Sequence, residues 1–118
     1  MIEVFYWLMV AALVTHELDA VKRHEWRILP LLRDLPDDVG EQVFIWLHFP
    51  LFVLIFWISH LGAESILALG LSVIAIIHIG VTWLLRKHPA FEYDNPSSWL
   101  LICLAGLFGG LHLATIAM

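Results

Sequence analysis

Four long apolar runs, separated by short polar segments, dominate the pattern of hydrophobic and polar residues along this chain. Each run has the roughly 20 residues that an α-helix needs to cross a hydrocarbon layer about 30 Å thick. The pattern therefore predicts an all-α fold, an integral membrane four-helix bundle that forms one transmembrane domain over residues 1–118. We expect the helices at about residues 2–21, 39–60, 64–86 and 97–117, with polar segments at 22–38 and 87–96.

Residues that typically start and stop helices occur near these bounds. Asp38, followed three residues later by Glu41, has the pattern of a capping box at the start of the second helix. Gly62 is a typical residue just beyond a helix C-terminus, and only a short turn separates it from the third run. Asn95 and Pro96 place a side-chain cap and a first-turn proline at the start of the fourth helix. We therefore expect the second and third helices to form an antiparallel hairpin.

The positions of the basic residues predict the orientation of the bundle. All six Lys and Arg residues lie after the apolar cores of the first and third runs, four in residues 22–33 and two at residues 86–87. Because successive spans alternate sides, these two segments face one compartment, which an excess of Lys and Arg marks as cytoplasmic. Both termini are then expected on the non-cytoplasmic side. We also expect the first helix to continue beyond the membrane through Trp26 and to end before Pro30.

Composition supports a membrane protein and excludes several other classes. Hydrophobic residues make up 61% of the chain and charged residues 14%, against about 25% charged in an average globular domain. The basic clusters are too small to suggest nucleic-acid binding, so the expected partners are membrane lipids. Cys103 is the only cysteine, which excludes an intrachain disulfide and a cluster of thiolate ligands.

Histidines from three helices are expected at one depth near the cytoplasmic boundary. At about 1.5 Å per residue, His16 lies roughly 7 Å inside that boundary, and His48 and His78 lie within about 7–13 Å of it. Asp19 shares a helix face with His16, and Glu17 follows His16 directly. Ionisable groups inside a membrane usually face the bundle interior or water and mark functional sites. These five residues are therefore the candidate site.

Imidazoles together with a carboxylate suit zinc or non-haem iron. The metal hypothesis makes His16, His48 and His78 ligands and Asp19 a ligand or an orienting group. Glu17 is then a general base that acts on a lipid-soluble substrate. A b-type haem between two of the histidines is a less favoured possibility. A zinc-protease pair is absent, because the position four residues after His16 is an alanine.

Two alternatives need no metal. Either Glu17 or Asp19 can serve as the carboxylate of a small proton-coupled transporter. The second alternative is a polar network that only stabilises a structural or interaction protein. In that network, Asp19 pairs with Arg23 and each histidine bonds to a carbonyl group of a neighbouring helix. The candidate residues alone leave both alternatives open.

The stretch from Thr15 through Arg27 resembles a group of small, functionally uncharacterised bacterial four-helix membrane proteins. It is also loosely similar to the HXXEE-motif membrane proteins. That similarity covers His16 and Asp19, while Ala20 replaces the second acid of the motif. The resemblance implies a multi-pass protein of the bacterial inner membrane but no reaction. In size and helix count the chain also looks like the small multidrug resistance transporters, which rely on a glutamate of the first helix. This resemblance gives that place to Glu17. The long, basic first polar segment differs from the short loops of those transporters.

Small residues recur at four-residue spacing in the fourth helix, at Gly106, Gly110 and Ala114. Such a stripe lets another backbone approach closely. It predicts either packing within the bundle or an interface between two copies of the chain. No role is assigned to His60, His88 or His112.

Overall fold

The computed structural model describes residues 1–118 as an all-α fold with four long helices. Each of the four is long and apolar enough to span a membrane, which confirms the prediction of four apolar helices. A short 3-10 helix, Glu25–Arg27, lies between the first two of them. The long helices are α1 (Ile2–Lys22), α2 (Asp37–His60), α3 (Ile66–Leu85) and α4 (Pro96–Ala117).

The ends of α2 and the start of α4 follow from local residue chemistry, and only the start of α2 differs from the sequence prediction. The side chain of Asn95 accepts a hydrogen bond from the backbone of the first turn of α4, and Pro96 is the first helical residue, as expected. Gly62 follows α2 with a φ of +99°, a conformation that glycine adopts without steric cost. The predicted capping box at Asp38 is wrong, because α2 begins at Asp37, two residues earlier than expected, and Pro36 occupies the cap position without a side-chain bond.

The predicted continuation of α1 through Trp26 is also wrong. The helix ends at Lys22, and His24 takes the left-handed conformation, with φ 55° and ψ 45°. This residue turns the chain back under the bundle, so that the indole of Trp26 is only 1% exposed. A Cβ at Gly40 would lie 2.7 Å from that indole, which explains the glycine at this position of α2. The chain therefore buries Trp26 against α2 and does not continue as an α-helix beyond Lys22.

The four helices do not pack equally closely. Helix α4 packs along both α1 and α3, whereas α2 touches its neighbours at far fewer positions. A Cβ at Gly109 would lie 2.9 Å from the carbonyl oxygen of Ser72, so the backbones of α4 and α3 are in close contact. The bundle therefore consists of a compact group of three helices with α2 beside it.

Only part of the small-residue stripe serves this internal packing. Gly106 is buried, and a side chain there would clash with Ile79 of α3. Gly110 has open space around its Cβ position, and Ala114 is exposed. Packing within the bundle therefore accounts for Gly106, and an interface with a second copy through the other two positions stays a prediction.

Candidate functional site

The structure distributes the predicted site residues over three separate contacts. Nε2 of His16 lies 2.9 Å from Nε2 of His78, which joins α1 to α3. Nε2 of His48 lies 2.9 Å from a carboxylate oxygen of Glu17, which joins α2 to α1. Asp19 bonds to neither pair. No group of three or more His, Cys, Asp or Glu side chains in the structure is arranged to hold a metal ion.

The contact between Glu17 and His48 contains one proton that can reside on either group. Nδ1 of His48 lies 2.7 Å from the carbonyl oxygen of Phe44. A carbonyl oxygen only accepts hydrogen bonds, so Nδ1 carries a hydrogen. The 2.9 Å bond between Nε2 and Glu17 then needs one further proton, either on the imidazole or on the carboxyl group. Both arrangements have zero net charge, and the two groups form an acid–base pair.

The hydrogen bond between His16 and His78 also restricts the protonation of its members. Only one of the two Nε2 atoms can donate, so the two rings cannot both be fully protonated in this geometry. Nδ1 of His16 is buried and has no hydrogen-bond partner. A buried N–H without an acceptor costs roughly 1–3 kcal/mol, which favours the tautomer in which His16 donates through Nε2 and Nδ1 carries no hydrogen. The ring of Tyr93 covers this histidine at a centroid distance of 5.8 Å.

Asp19 links α1 to the start of α4. One carboxylate oxygen lies 3.3 Å from Nε of Arg23, and the other accepts a hydrogen bond of 2.5 Å from the hydroxyl of Ser98. Ser98 is fully buried in the first turn of α4. The pairing of Asp19 with Arg23 is the arrangement expected for a polar network. Together with the bond from Ser98, it satisfies both carboxylate oxygens without a histidine.

Glu25 and Tyr93 complete the polar region, and neither was among the predicted site residues. The hydroxyl of Tyr93 donates a hydrogen bond of 2.9 Å to Glu25. Burial raises the pKa of Glu25, and the nearby carboxylate of Glu17 raises this pKa further. Burial and the adjacent Glu25 likewise raise the pKa of Tyr93. The only sequence feature that could have indicated Glu25 is its position next to Trp26 at the membrane boundary. The turn at His24 that brings Glu25 inward cannot be recognised from the sequence.

Three cavities surround these polar groups. A cleft of about 290 Å³ between α1 and α2 contains Glu17 and His48, and its other walls are apolar. An inner cavity of about 110 Å³ is bordered by His16, Glu17 and His78. A third, of about 120 Å³, lies beside the 3-10 helix and is bordered by His78 and Glu25. Glu17 and His78 are thus each shared by two cavities.

A family model matches residues 2–118 of the chain. The chain belongs to DUF6713, a family of unknown function. This membership confirms the expectation of a protein family without an assigned function, while the likeness to HXXEE-motif proteins stays a prediction. No curated protein and no solved structure matches the chain.

Membership of DUF6713 assigns no reaction. The hydrogen bonds of each histidine therefore have to show whether its role is structural. His112 of α4 has no exposed surface. Its Nε2 donates a hydrogen bond of 2.8 Å to the carbonyl oxygen of Ala63, and its Nδ1 accepts one of 2.7 Å from Ser72. Both ring nitrogens are therefore satisfied in the tightly packed part of the bundle, which is the signature of a structural histidine.

Proposed function

We propose that this DUF6713 member is a multi-pass membrane protein in which Glu17 and His48 exchange a proton with a lipid-soluble substrate. The observation that carries this proposal is the proton-sharing contact between the two side chains, at 2.9 Å, inside an otherwise apolar cleft. The cleft lies between two helices that are each apolar enough to span a membrane. Its remaining walls are Leu18, Val21, Ile45, Phe49 and Phe52.

Charge neutrality makes this pair suitable for proton exchange within a membrane. Isolated charges are costly in a hydrocarbon environment, but the pair keeps zero net charge whichever group holds the proton. When Glu17 holds the shared proton, it gives that proton to the substrate and leaves a carboxylate beside neutral His48. When His48 holds the shared proton, the carboxylate of Glu17 takes a proton from the substrate. Phe44 holds the imidazole in position through Nδ1 during the exchange.

The same exchange serves either an enzyme or a carrier. In an enzyme, Glu17 is the general base of a reaction on the substrate. In the alternative, a proton-coupled transporter, Glu17 links substrate binding to protonation. Both oxygens of Asp19 are already bonded to Arg23 and Ser98, so Glu17 is the better carboxylate for either role.

The proposed location is the inner membrane of a bacterium, with the site near the cytoplasmic face. The distribution of Lys and Arg over residues 22–33 and 86–87 supports this orientation. Reporter fusions at residues 30 and 118 test it. Cytoplasmic signal at the first position and external signal at the second are expected, and a cytoplasmic C-terminus would contradict the orientation.

Carbodiimide labelling tests the function. A lipid-soluble carbodiimide adds to a protonated carboxyl group and leaves a stable acylurea that mass spectrometry locates. We expect this reagent to label Glu17 in bilayers, because the cleft admits lipid-soluble molecules and the pair supplies the protonated form. A water-soluble carbodiimide should instead label exposed Glu64.

Two substitutions control that experiment. Glu17→Gln should remove the label, whereas Glu3→Gln, at an exposed glutamate of the same helix, should leave it unchanged. Wild-type protein that carries no label on Glu17 at any pH between 5 and 8, about the range in which histidine changes charge, would refute the proposal.

A zinc or iron centre is a second candidate, and one observation favours it. The Nε2 atoms of His16 and His78 converge to 2.9 Å, and Glu17 borders the same inner cavity. His48 and Asp19 would join as ligands only after leaving their present partners. A haem would require the direct bond between the two rings to be replaced by iron. Stoichiometric metal in the purified protein, lost in His16→Ala and retained in the control His60→Ala, would support this candidate.

A further inference from the structure

An apolar crevice between α2 and α3 leads to the proposed site. It has a volume of about 300 Å³ and contains no charged side chain. It adjoins the inner cavity that contains His16, Glu17 and His78, because the two spaces share four wall residues. The residues that border both spaces are Leu51, Ile55, Leu71 and Ile74. A molecule that lies in the crevice can therefore place one end beside the polar groups.

The dimensions of the crevice suit a single extended hydrocarbon chain. Along α3 it begins at Ile66, and His78 lies twelve residues further, a distance of about 18 Å at 1.5 Å per residue. Gly70 forms part of its wall, and no atom lies within 4 Å of the position where a Cβ would stand. The missing side chain leaves room in the middle of the crevice.

The charges around the inner end favour a basic head group. Neither nearby arginine is available to bind an anion, because Arg23 pairs with Asp19 and Arg27 pairs with Asp37. Glu25 has a tyrosine hydroxyl as its side-chain hydrogen-bond partner. An anion beside Glu17 would be repelled whenever this carboxyl group is ionised, whereas an amine can accept its proton and then pair with the carboxylate.

We propose that the crevice binds the alkyl chain of a single-chain aliphatic amine and places its amino group at Glu17. This proposal rests on the proposed function and names its substrate class. The neutral amine approaches the form of the pair in which Glu17 holds the proton. The O–H bond of the carboxyl group breaks, an N–H bond forms on the amine, and the resulting ammonium group stays paired with the carboxylate. His48 remains neutral and keeps its bond to Phe44.

Three ligands with the same chain test the choice of head group. Native mass spectrometry of the protein with dodecylamine, dodecanol and dodecanoic acid compares an amine, an alcohol and an acid. We expect a one-to-one adduct with dodecylamine that is about tenfold or more favoured over the other two, equivalent to at least about 1.4 kcal/mol. Equal binding of all three, or preferred binding of the acid, would overturn the proposal.

Two glycines of α3 provide a matched pair of variants. Gly70→Phe fills the crevice without touching a polar group, so it should abolish the amine adduct. Gly80→Phe adds the same side chain at a position that also has open space but borders no cavity, and it should leave the adduct intact. An adduct that survives Gly70→Phe would show that the chain lies elsewhere.

Competition separates this inference from the proposed function. N,N-Dimethyldodecylamine has the same chain and a basic head group that cannot form an amide with the activated carboxyl group. It should protect Glu17 from the lipid-soluble carbodiimide in wild type and in Gly80→Phe, but not in Gly70→Phe. If Glu17 is labelled and this tertiary amine gives no protection, the amine proposal is wrong and the proton-exchange proposal stands. If Glu17 is never labelled, the proton-exchange proposal is wrong.

Discussion

Two groups of histidines in this bundle, His112 alone and the pair His16 and His78, differ in how many of their ring nitrogens have hydrogen-bond partners. His112 is enclosed between α3 and α4 and uses both ring nitrogens in hydrogen bonds. His16, equally buried, uses one nitrogen on His78 and leaves the other without a partner. Cavities border the second group, whereas none borders His112. Burial alone therefore does not distinguish a structural histidine from one that is available for chemistry.

The difference follows from the packing of the helices. Helices α3 and α4 approach closely at Gly109, and His112, three residues further along α4, bonds to Ser72 of α3. Helix α2 packs loosely, so Glu17 and His48 meet across a cleft in place of a filled interface. The tightly packed half provides stability, and the loosely packed half provides access.

The largest effect on stability should come from His112→Ala. The substitution leaves the carbonyl oxygen of Ala63 without a partner, removes one hydrogen bond of Ser72 and opens a void, so the free energy of unfolding should fall by about 2–4 kcal/mol. Unfolding in detergent measures this loss. The matched variant His48→Ala, at the edge of a cleft, should lose less than half as much. Equal losses would remove the distinction between the tightly and the loosely packed half.

A smaller effect is expected from close helix contact at Gly109. A Cβ there would lie 2.9 Å from the backbone oxygen of Ser72, which cannot move away without shifting α3. Gly109→Ala should therefore lower the free energy of unfolding by about 1–3 kcal/mol. The neighbouring Gly110 has open space, and Gly110→Ala should leave the free energy of unfolding unchanged or raise it by up to about 1 kcal/mol, because alanine favours the helix over glycine. Similar values for the two variants would contradict the contrast in packing.

The smallest expected effect is a dependence of stability on pH through Glu25. Its pKa in the folded protein is raised above the usual value of 4.5, so the folded state holds this proton more tightly than the unfolded state. The resulting stabilisation is present below pH 4.5 and is lost as pH rises through the raised pKa. Glu25→Gln should flatten this decline in melting temperature, while Glu64→Gln should not. An unchanged slope in Glu25→Gln would show that another group is responsible.

The sequence predicted the bounds of the helices better than the rotation of each helix about its own axis. Apolar runs and residues such as Asn95 and Gly62 gave helix bounds close to those of the structure, because both signals act locally. Depth counting placed His16 and His78 at one level, and they are in contact. Depth gives no rotation about the helix axis, so it could not show that His48 bonds to Glu17.

The site residues that sequence reasoning missed depend on tertiary packing. Glu25 reaches the site because His24 adopts a left-handed conformation and Trp26 is buried beneath the bundle. Neither the conformation of His24 nor the burial of Trp26 can be predicted from a periodic pattern of hydrophobic residues. Asp19 was assigned to the site from its helix face, but the hydroxyl of Ser98, which is 79 residues away along the chain, binds it instead.

In the proposed function, Glu17 and His48 share one exchangeable proton while the carbonyl oxygen of Phe44 holds the imidazole. Nitrogen NMR of ring-labelled histidine in lipid bilayers tests this arrangement. We expect Nδ1 of His48 to carry a hydrogen throughout the pH range in which the protein is folded, and the Nε2 resonance to shift in Glu17→Gln but not in Glu3→Gln. An Nδ1 without a hydrogen, or an Nε2 resonance that does not respond to Glu17→Gln, would refute the shared proton.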